Sequence, residues 1–383
     1  MGEAATPDPK SEVLRVGVIG AGTISGEYSR SLARLPQVRV AAVADLEVTR
    51  AQTLADDHPG ARVLPFPDLL AADDVDVVLN LTLPAQHADV ALAALAAGKH
   101  VYGEKPLAAS LPEAREVVKA ATAAGLRVGC APDTVLGTGI QTARHVVDSG
   151  VIGTPHAATA FMTTPGHERW HHAPDFYYQP GGGPLLDMGP YYLTTLVHLL
   201  GSVDRVVGAS SRPRARRVIG SGPRAGQSFD VTVDSHVTGI LEHSSGALST
   251  LVMSFDTWAS RAPRIEVHGT EGSLAVPDPN RFAGPVELYS AATAPPPRST
   301  RDDNWVDVGV RAGFVGSGRG YGVADLALAV AEGRPHRAGD EVALHVLDIM
   351  ESMQSAADAA ASVTLTTTCE RPAAVEGLVN LVC

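Results

Sequence analysis

The sequence predicts an α/β protein in two parts: an N-terminal domain on a doubly wound parallel sheet, then a C-terminal α+β domain with a large, mostly antiparallel open sheet. Three observations carry this. Apolar strands and helices alternate over the first third of the chain, the pattern of a parallel sheet covered on both faces. Beyond Ile140 strands dominate. And 383 residues are more than one ordinary core holds. The expected division is residues 11–132 and residues 133–370.

Each element has a local reason. Residues 14–19 form a continuous apolar run, a strand buried on both faces. A helix is expected over 23–35, a strand over 38–44 and a second helix over 47–57. A strand over 75–81 leads to an alanine- and leucine-rich helix over 85–97, which Gly98 stops as a C-cap. Residues 100–102 are a short strand. Ser110, with Glu113 three residues on, is a capping box that opens a helix to about residue 124. Residues 126–130 give one more strand. After a helix over 140–148, strands are expected over 156–162, 203–209, 231–241, 247–255 and 265–269, with His-Ser-Ser-Gly at 243–246 as a hairpin turn. Residues 283–301, rich in proline, alanine and serine, read as an exposed loop. Helices over 322–332 and 341–361 close the pattern.

Composition narrows the function classes. Hydrophobic residues make up 45% and charged residues 19%, which describes a soluble globular chain. A net charge of -12 excludes the basic surface that nucleic acid requires. The one basic run, residues 212–217, reads as a solvated loop. Cys130, Cys369 and Cys383 show no paired spacing, so a reducing compartment with neither a disulfide framework nor a zinc site is expected. With no signal-peptide pattern and no run long enough to span a bilayer, the expected location is cytoplasmic, with no membrane partner.

The turn after the first strand reads Gly20-Ala21-Gly22-Thr23-Ile24-Ser25. Gly20 permits the tight strand-to-helix turn, and Gly22 lets the backbone approach a pyrophosphate. The helix that starts near Thr23, with Ile24 in its first turn, presents free amides and a positive dipole end to that anion. Ser25 stands where a third glycine or alanine is usual, and is small enough for close packing. Asp45 stands 23 residues beyond Gly22, near the spacing at which a carboxylate meets the adenosine ribose. A carboxylate there accepts from the ribose hydroxyls and repels a 2′-phosphate. The expected cofactor is NAD, with NADP the alternative, on a Rossmann domain.

The stretch from Val78 to Ala108, containing Thr82, Pro84, His87 and Glu104-Lys105-Pro106, resembles the Gfo/Idh/MocA oxidoreductases. The resemblance continues through Gly181-Gly182-Gly183-Pro184-Leu185-Leu186-Asp187-Met188-Gly189-Pro190-Tyr191 and the Gly-Thr-Glu-Gly-Ser-Leu run that begins at Gly269. It implies that Thr82, Pro84, His87 and Glu104 line the cofactor site. It also implies that Lys105 hydrogen-bonds the reacting hydroxyl near the nicotinamide, and that Asp187 binds or orients the substrate. Members commonly carry histidine four residues after the aspartate. Tyr191 in that place is similar to the branch typified by glucose-fructose oxidoreductase, in which tyrosine is the proton donor or acceptor.

Elementary chemistry agrees. Oxidising a secondary alcohol requires loss of the hydroxyl proton as hydride leaves carbon. A phenol is a poor base near neutrality, and an ammonium beside it stabilises the phenolate, so Lys105 next to Tyr191 is a sensible pair. Asp187 and Tyr191 share a face if their helix starts by Asp187, whereas Pro190 argues for a later start. His167 and His171 have the spacing of a helical metal pair, but without a third ligand no metal is expected. His167, Trp170 and His171 instead suit a substrate loop for a polyhydroxylated ring, whose C–H faces stack on aromatics while its hydroxyls hydrogen-bond. The expected reaction is hydride transfer between nicotinamide and a secondary hydroxyl or carbonyl of a sugar, cyclitol or related polyol. The alternatives are a glycosidase or lyase that oxidises its substrate transiently, and a non-catalytic NAD-binding regulator. A homodimer or homotetramer is expected through the open sheet.

Overall fold

β-Branched and leucine-rich segments in the first part pair as six parallel strands. In the computed structural model, which describes residues 13–292 and 304–382, these are β1 (Leu14–Ile19), β2 (Val38–Ala44), β3 (Arg62–Val63), β4 (Val77–Asn80), β5 (His100–Gly103) and β6 (Val128–Cys130). Their order across the sheet is β3-β2-β1-β4-β5-β6, a doubly wound arrangement whose direction reverses between β1 and β4. Ligands bind at the carboxyl ends of the strands beside such a reversal. The connecting helices are α1 (Ser25–Leu32), α2 (Val48–Asp56), α3 (Phe66–Ala71), α4 (His87–Ala96) and α5 (Leu111–Ala124). Ser110 caps α5 by accepting from the Glu113 amide, and Gly125, at φ +66°, ends it in the left-handed region.

The second part opens with α6 (Thr138–Asp148), then β7 (Pro155–Thr163), α7 (Pro184–Leu200), β8 (Val203–Ser211), β9 (Arg216–Val218), β10 (Ser228–Asp230), β11 (His236–His243) and β12 (Leu248–Ser254). It continues through β13 (Ile265–Gly269), β14 (Gly272–Val276), β15 (Glu287–Ser290), β16 (Val306–Asp307), β17 (Gly313–Phe314), α8 (Tyr321–Glu332), α9 (Asp340–Ala359), β18 (Val363–Thr364) and β19 (Leu378–Val379). Nine strands form one sheet in the order β16-β15-β14-β13-β7-β12-β11-β8-β18. β7 and β12 run parallel, and every other neighbouring pair is antiparallel. The sheet is therefore mixed and mostly antiparallel, as expected.

Helices α7 and α9 cover one face. The α9 backbone lies so close to β8 that a Cβ on Gly208 would sit 2.5 Å from the Met353 carbonyl oxygen. The other face leaves Val207, Ile240 and Leu248 exposed.

Some expectations need correction. Residues 287–290 are a strand, because β15 pairs with β14 and extends the sheet. The rest of that proline-rich segment lies partly outside the described residues. The basic run is not simply a solvated loop. Arg217 is buried, with Nη1 donating to Glu168 at 2.8 Å and Nη2 donating to Asp256 at 2.5 Å. Two carboxylates in the interior explain why a guanidinium can be there. Among the described residues no helix is long and apolar enough to cross a membrane.

Candidate active site

The glycine turn has the shape a dinucleotide needs. Gly20 has φ +97°, and a Cβ there would lie 2.7 Å from the Leu81 carbonyl oxygen, so no side chain fits. A Cβ on Gly22 would meet nothing within 4 Å. That residue and Thr23 are exposed, Ile24 is half-buried, and α1 begins just beyond them. Asp45 reaches back to the turn: one carboxylate oxygen accepts from the Ala21 amide at 2.6 Å and the other from the Glu47 amide at 2.8 Å. Each oxygen keeps a lone pair for a ribose hydroxyl. These residues fit an adenine dinucleotide.

The ends of β4 and β5 carry the next part. Asn80 accepts from the Thr82 hydroxyl at 2.6 Å and holds the loop that leads to the exposed Pro84. The His87 ring lies between two carbonyl oxygens, with Nδ1 2.6 Å from Pro106 and Nε2 3.1 Å from Thr82. Its polar atoms brace the loop after β4 against the Glu-Lys-Pro turn. One oxygen of Glu104 accepts from the Tyr28 phenol at 2.7 Å and the other from the Lys105 amide at 3.1 Å. The triplet is thus tied both to α1 and to its own backbone.

Helix α7 supplies the opposite wall. It starts at Pro184, before Asp187, so Asp187 and Tyr191 lie one turn apart on the same face. The helix accommodates Pro190 at the loss of one amide donor. The approach to α7 depends on Gly183, whose φ is +91° and whose Cβ would lie 3.1 Å from the Asp234 carbonyl oxygen.

Lys105 Nζ donates to the Asp187 carbonyl at 2.6 Å and to its carboxylate at 3.1 Å. His167 Nε2 lies 3.0 Å from the other carboxylate oxygen. Burial works to raise the Asp187 pKa, but the ammonium and the histidine contact outweigh it and hold the acid at about 2. Burial likewise works against the charge on Lys105, and Asp187 outweighs it, so the ammonium is held well above its ordinary pKa. Lys105 is therefore a fixed cation.

Tyr191 departs from the expectation. Its ring centroid is 5.4 Å from Lys105 Nζ, and the group on its hydroxyl is Arg319, whose Nη2 donates to Oη at 2.8 Å. Burial raises the phenol pKa more than Lys105 and Arg319 lower it. The expectation that a lysine contact alone would bring the phenol down overlooked desolvation. Arg319 had no signal in the sequence, since it sits in a glycine-serine loop without periodicity.

A cavity of about 550 Å³ joins these walls. Ile24, Thr82, Pro84, His87, Glu104 and Lys105 line its cofactor side, while His167, Trp170, Asp187 and Tyr191 line the other. Phe176 and Tyr177, from the aromatic run that follows the histidine-rich segment, also line it, with Tyr192, Arg264, Asp278 and Asn280, which nothing in the sequence singled out, among the others. Trp170 and Phe176 are exposed at its rim. His171 is not on this wall: its Nδ1 accepts from the Ala173 amide at 3.1 Å and its ring stacks on His172. The loop turns it away because His167, four residues earlier, is packed inward against Phe255 and Tyr177. Among the described residues no three His, Cys, Asp or Glu side chains converge to hold a metal.

Fold and cavity together define an NAD-binding oxidoreductase. A family model described as an oxidoreductase family with NAD-binding Rossmann fold matches residues 14–131, and one described as the GFO/IDH/MocA C-terminal domain matches residues 140–275. The chain belongs to the Gfo/Idh/MocA oxidoreductase family. Inositol 2-dehydrogenase 3 of Saccharopolyspora erythraea is 31% identical over 276 residues, which span 71% of this chain and 75% of that relative. A 1,5-anhydro-D-fructose reductase of Ensifer adhaerens is 32% identical over 265 residues, 68% and 74% of the two chains. A levoglucosan dehydrogenase solved with NADH shares the fold, with a TM-score of 0.77 at 20% identity over 92% of this chain and 99% of that one.

Proposed function

We propose that the protein is an NAD-dependent dehydrogenase or reductase for a secondary hydroxyl of a sugar, cyclitol or related polyol. The observation that carries this reading is the single cavity in which Lys105, from the end of β5, meets Asp187 and Tyr191 of α7. NAD, when bound along the glycine turn, supplies the acceptor or donor of hydride. Asp45 favours it over NADP, because a second anion would lie beside this carboxylate.

The chain's own groups handle substrate and proton. Lys105, charged throughout, donates a hydrogen bond to the reacting oxygen and stabilises its developing negative charge. The Asp187 carboxylate holds Lys105 in place and accepts from a neighbouring hydroxyl of the substrate. In reduction the neutral Tyr191 phenol gives its proton to the carbonyl oxygen and is reprotonated from solvent; in oxidation the phenolate, formed by loss of that proton to solvent, takes the proton of the substrate hydroxyl. Trp170, Phe176 and Tyr177 offer aromatic faces to the C–H face of a ring, and close water out around it. The open sheet with its exposed Val207, Ile240 and Leu248 supports a homodimer or homotetramer.

The test is to offer purified protein NAD and NADP with a panel of sugars, cyclitols and polyols while following nicotinamide absorbance. Turnover preferring NAD on a member of this class is expected. A substrate lacking secondary hydroxyl or carbonyl groups, or full turnover by both Lys105→Ala and Tyr191→Phe, would overturn the reading.

A further inference from the structure

Arg319 stands in the loop before α8. Nη2 donates to Tyr191 Oη at 2.8 Å and to Asn280 Oδ1 at 3.4 Å. The guanidinium carbon is 5.4 Å from the Tyr191 ring centroid, the same distance as Lys105 Nζ. Nη1 is buried and has no hydrogen-bond partner among the described residues. Arg319 forms no ion pair among them either. No carboxylate is in contact with it among the described residues, although Glu104 and Asp133 act on its charge through space, and the phenol oxygen is the nearer of its two hydrogen-bond acceptors.

The first sheet sets its position. Asp133, just beyond β6, accepts from the Gly320 amide at 2.7 Å and from the Gly322 amide at 3.1 Å. Tyr102 of β5 fills the space under α8 so closely that a Cβ on Gly322 would lie 2.0 Å from its Oη. Arg319 is therefore carried by a loop clamped from β5 and β6, the same strands that frame Glu104 and Lys105. A hydrogen bond from Nη2 also fixes where the phenol proton goes. With Arg319 donating to Oη, the O–H of a neutral Tyr191 must point elsewhere, and the cavity is the open direction.

We propose that Arg319 is a positioning residue for Tyr191: a second cation that turns the phenol towards the cavity and favours its deprotonated form. The proposal rests on the proton-handling role given to Tyr191 above. The charged and titratable groups that face Tyr191 are Lys105 and Glu104 from the end of β5, Asp187 on its own helix, Tyr177 from the aromatic loop and Arg319. Of these, Lys105 is committed to Asp187, which leaves Arg319 as the cation in contact with the oxygen itself. A guanidinium suits the place because it stays charged under every condition in which the fold survives.

The experiment places a fluorinated tyrosine at position 191 of the full chain, lowering the intrinsic pKa so that titration falls where the protein is folded, and reads the ionisation by fluorine NMR. Arg319→Met should raise the midpoint by about one unit or more, and Arg319→Lys by less. Arg319→Gln, which keeps an N–H donor without the charge, should raise it like Met, and carries the test if the Met variant fails to fold. A midpoint unmoved in the Met or Gln variant overturns the proposal. This readout needs no substrate: if Tyr191→Phe were fully active, the proton role would fall while the midpoint shift would still report on Arg319.

Discussion

Two clusters of buried charge, built around two arginines, do opposite work. Arg217 meets two carboxylates, Glu168 and Asp256, and its guanidinium stacks 4.7 Å from the Tyr178 ring. The Tyr178 phenol in turn donates to Glu168, and only Arg217 Nε lacks a partner among the described residues. Arg319 makes no ion pair among the described residues, with Glu104 and Asp133 acting on it only through space, and donates to a phenol that lines a cavity. The neutralised cation fixes the loop behind His167. The other, with no carboxylate in contact among the described residues, is aimed at the phenol proposed to handle the proton. Residue type alone does not separate the two; the company each keeps does.

The difference can be broken by substitution. The largest effect is expected at the cavity. Tyr191→Phe should cost about 100- to 10,000-fold in kcat/KM on a substrate found by the panel, with little change in the thermal midpoint. Arg217→Met should do the reverse. Leaving Glu168 and Asp256 buried without their cation costs about 3–5 kcal/mol of stability, read by urea denaturation, and activity should fall only as the fold does. A Met variant as stable as the parent would place Arg217 with the functional cation instead.

Gly322→Ala sharpens the contrast by moving the clamp under Arg319. The added methyl meets Tyr102 Oη, so a loss of about 1–3 kcal/mol is expected. Tyr102→Phe should restore part of it, since that hydroxyl is buried without a partner. No rescue would place the clash on the ring carbon, 2.5 Å from that Cβ, rather than on the hydroxyl.

A third buried group lies beside arginines with neither arrangement. His198 has no hydrogen-bond partner on either ring nitrogen among the described residues, and burial, then Arg144 and Arg371, hold its pKa down to about 3. Between pH 6.5 and 3 the unfolded chain binds a proton that the folded chain refuses. Stability should therefore fall with pH across that window by about 1.4 kcal/mol per unit, and His198→Leu should flatten the slope. An unchanged slope would show that this histidine is neutral in both states or charged in both.

The sequence was most informative where function lies in contiguous backbone. The strand-glycine-helix turn, the alternation of strands and helices in the first part and the Glu-Lys-Pro strand end are local patterns, and they fold as read. Asp187 and Tyr191 were legible through the family resemblance, and their four-residue spacing became a shared helix face because α7 starts before Asp187 despite Pro190. The basic run containing Arg217 was misread because its two carboxylates are 39 and 49 residues away. Arg319 was invisible for the same reason, since the phenol it serves is 128 residues distant. His171 shows the limit of spacing: both it and His167 pack on Trp170 and Tyr177, but His167 alone of the two lines the cavity.

The most direct measurement is a structure of the protein with NADH and a polyol that it turns over. The reacting oxygen should lie within hydrogen-bond reach of both Tyr191 Oη and Lys105 Nζ, with Arg319 still donating to the phenol oxygen. A reacting oxygen held by His167, with Tyr191 out of reach, would contradict the shared site.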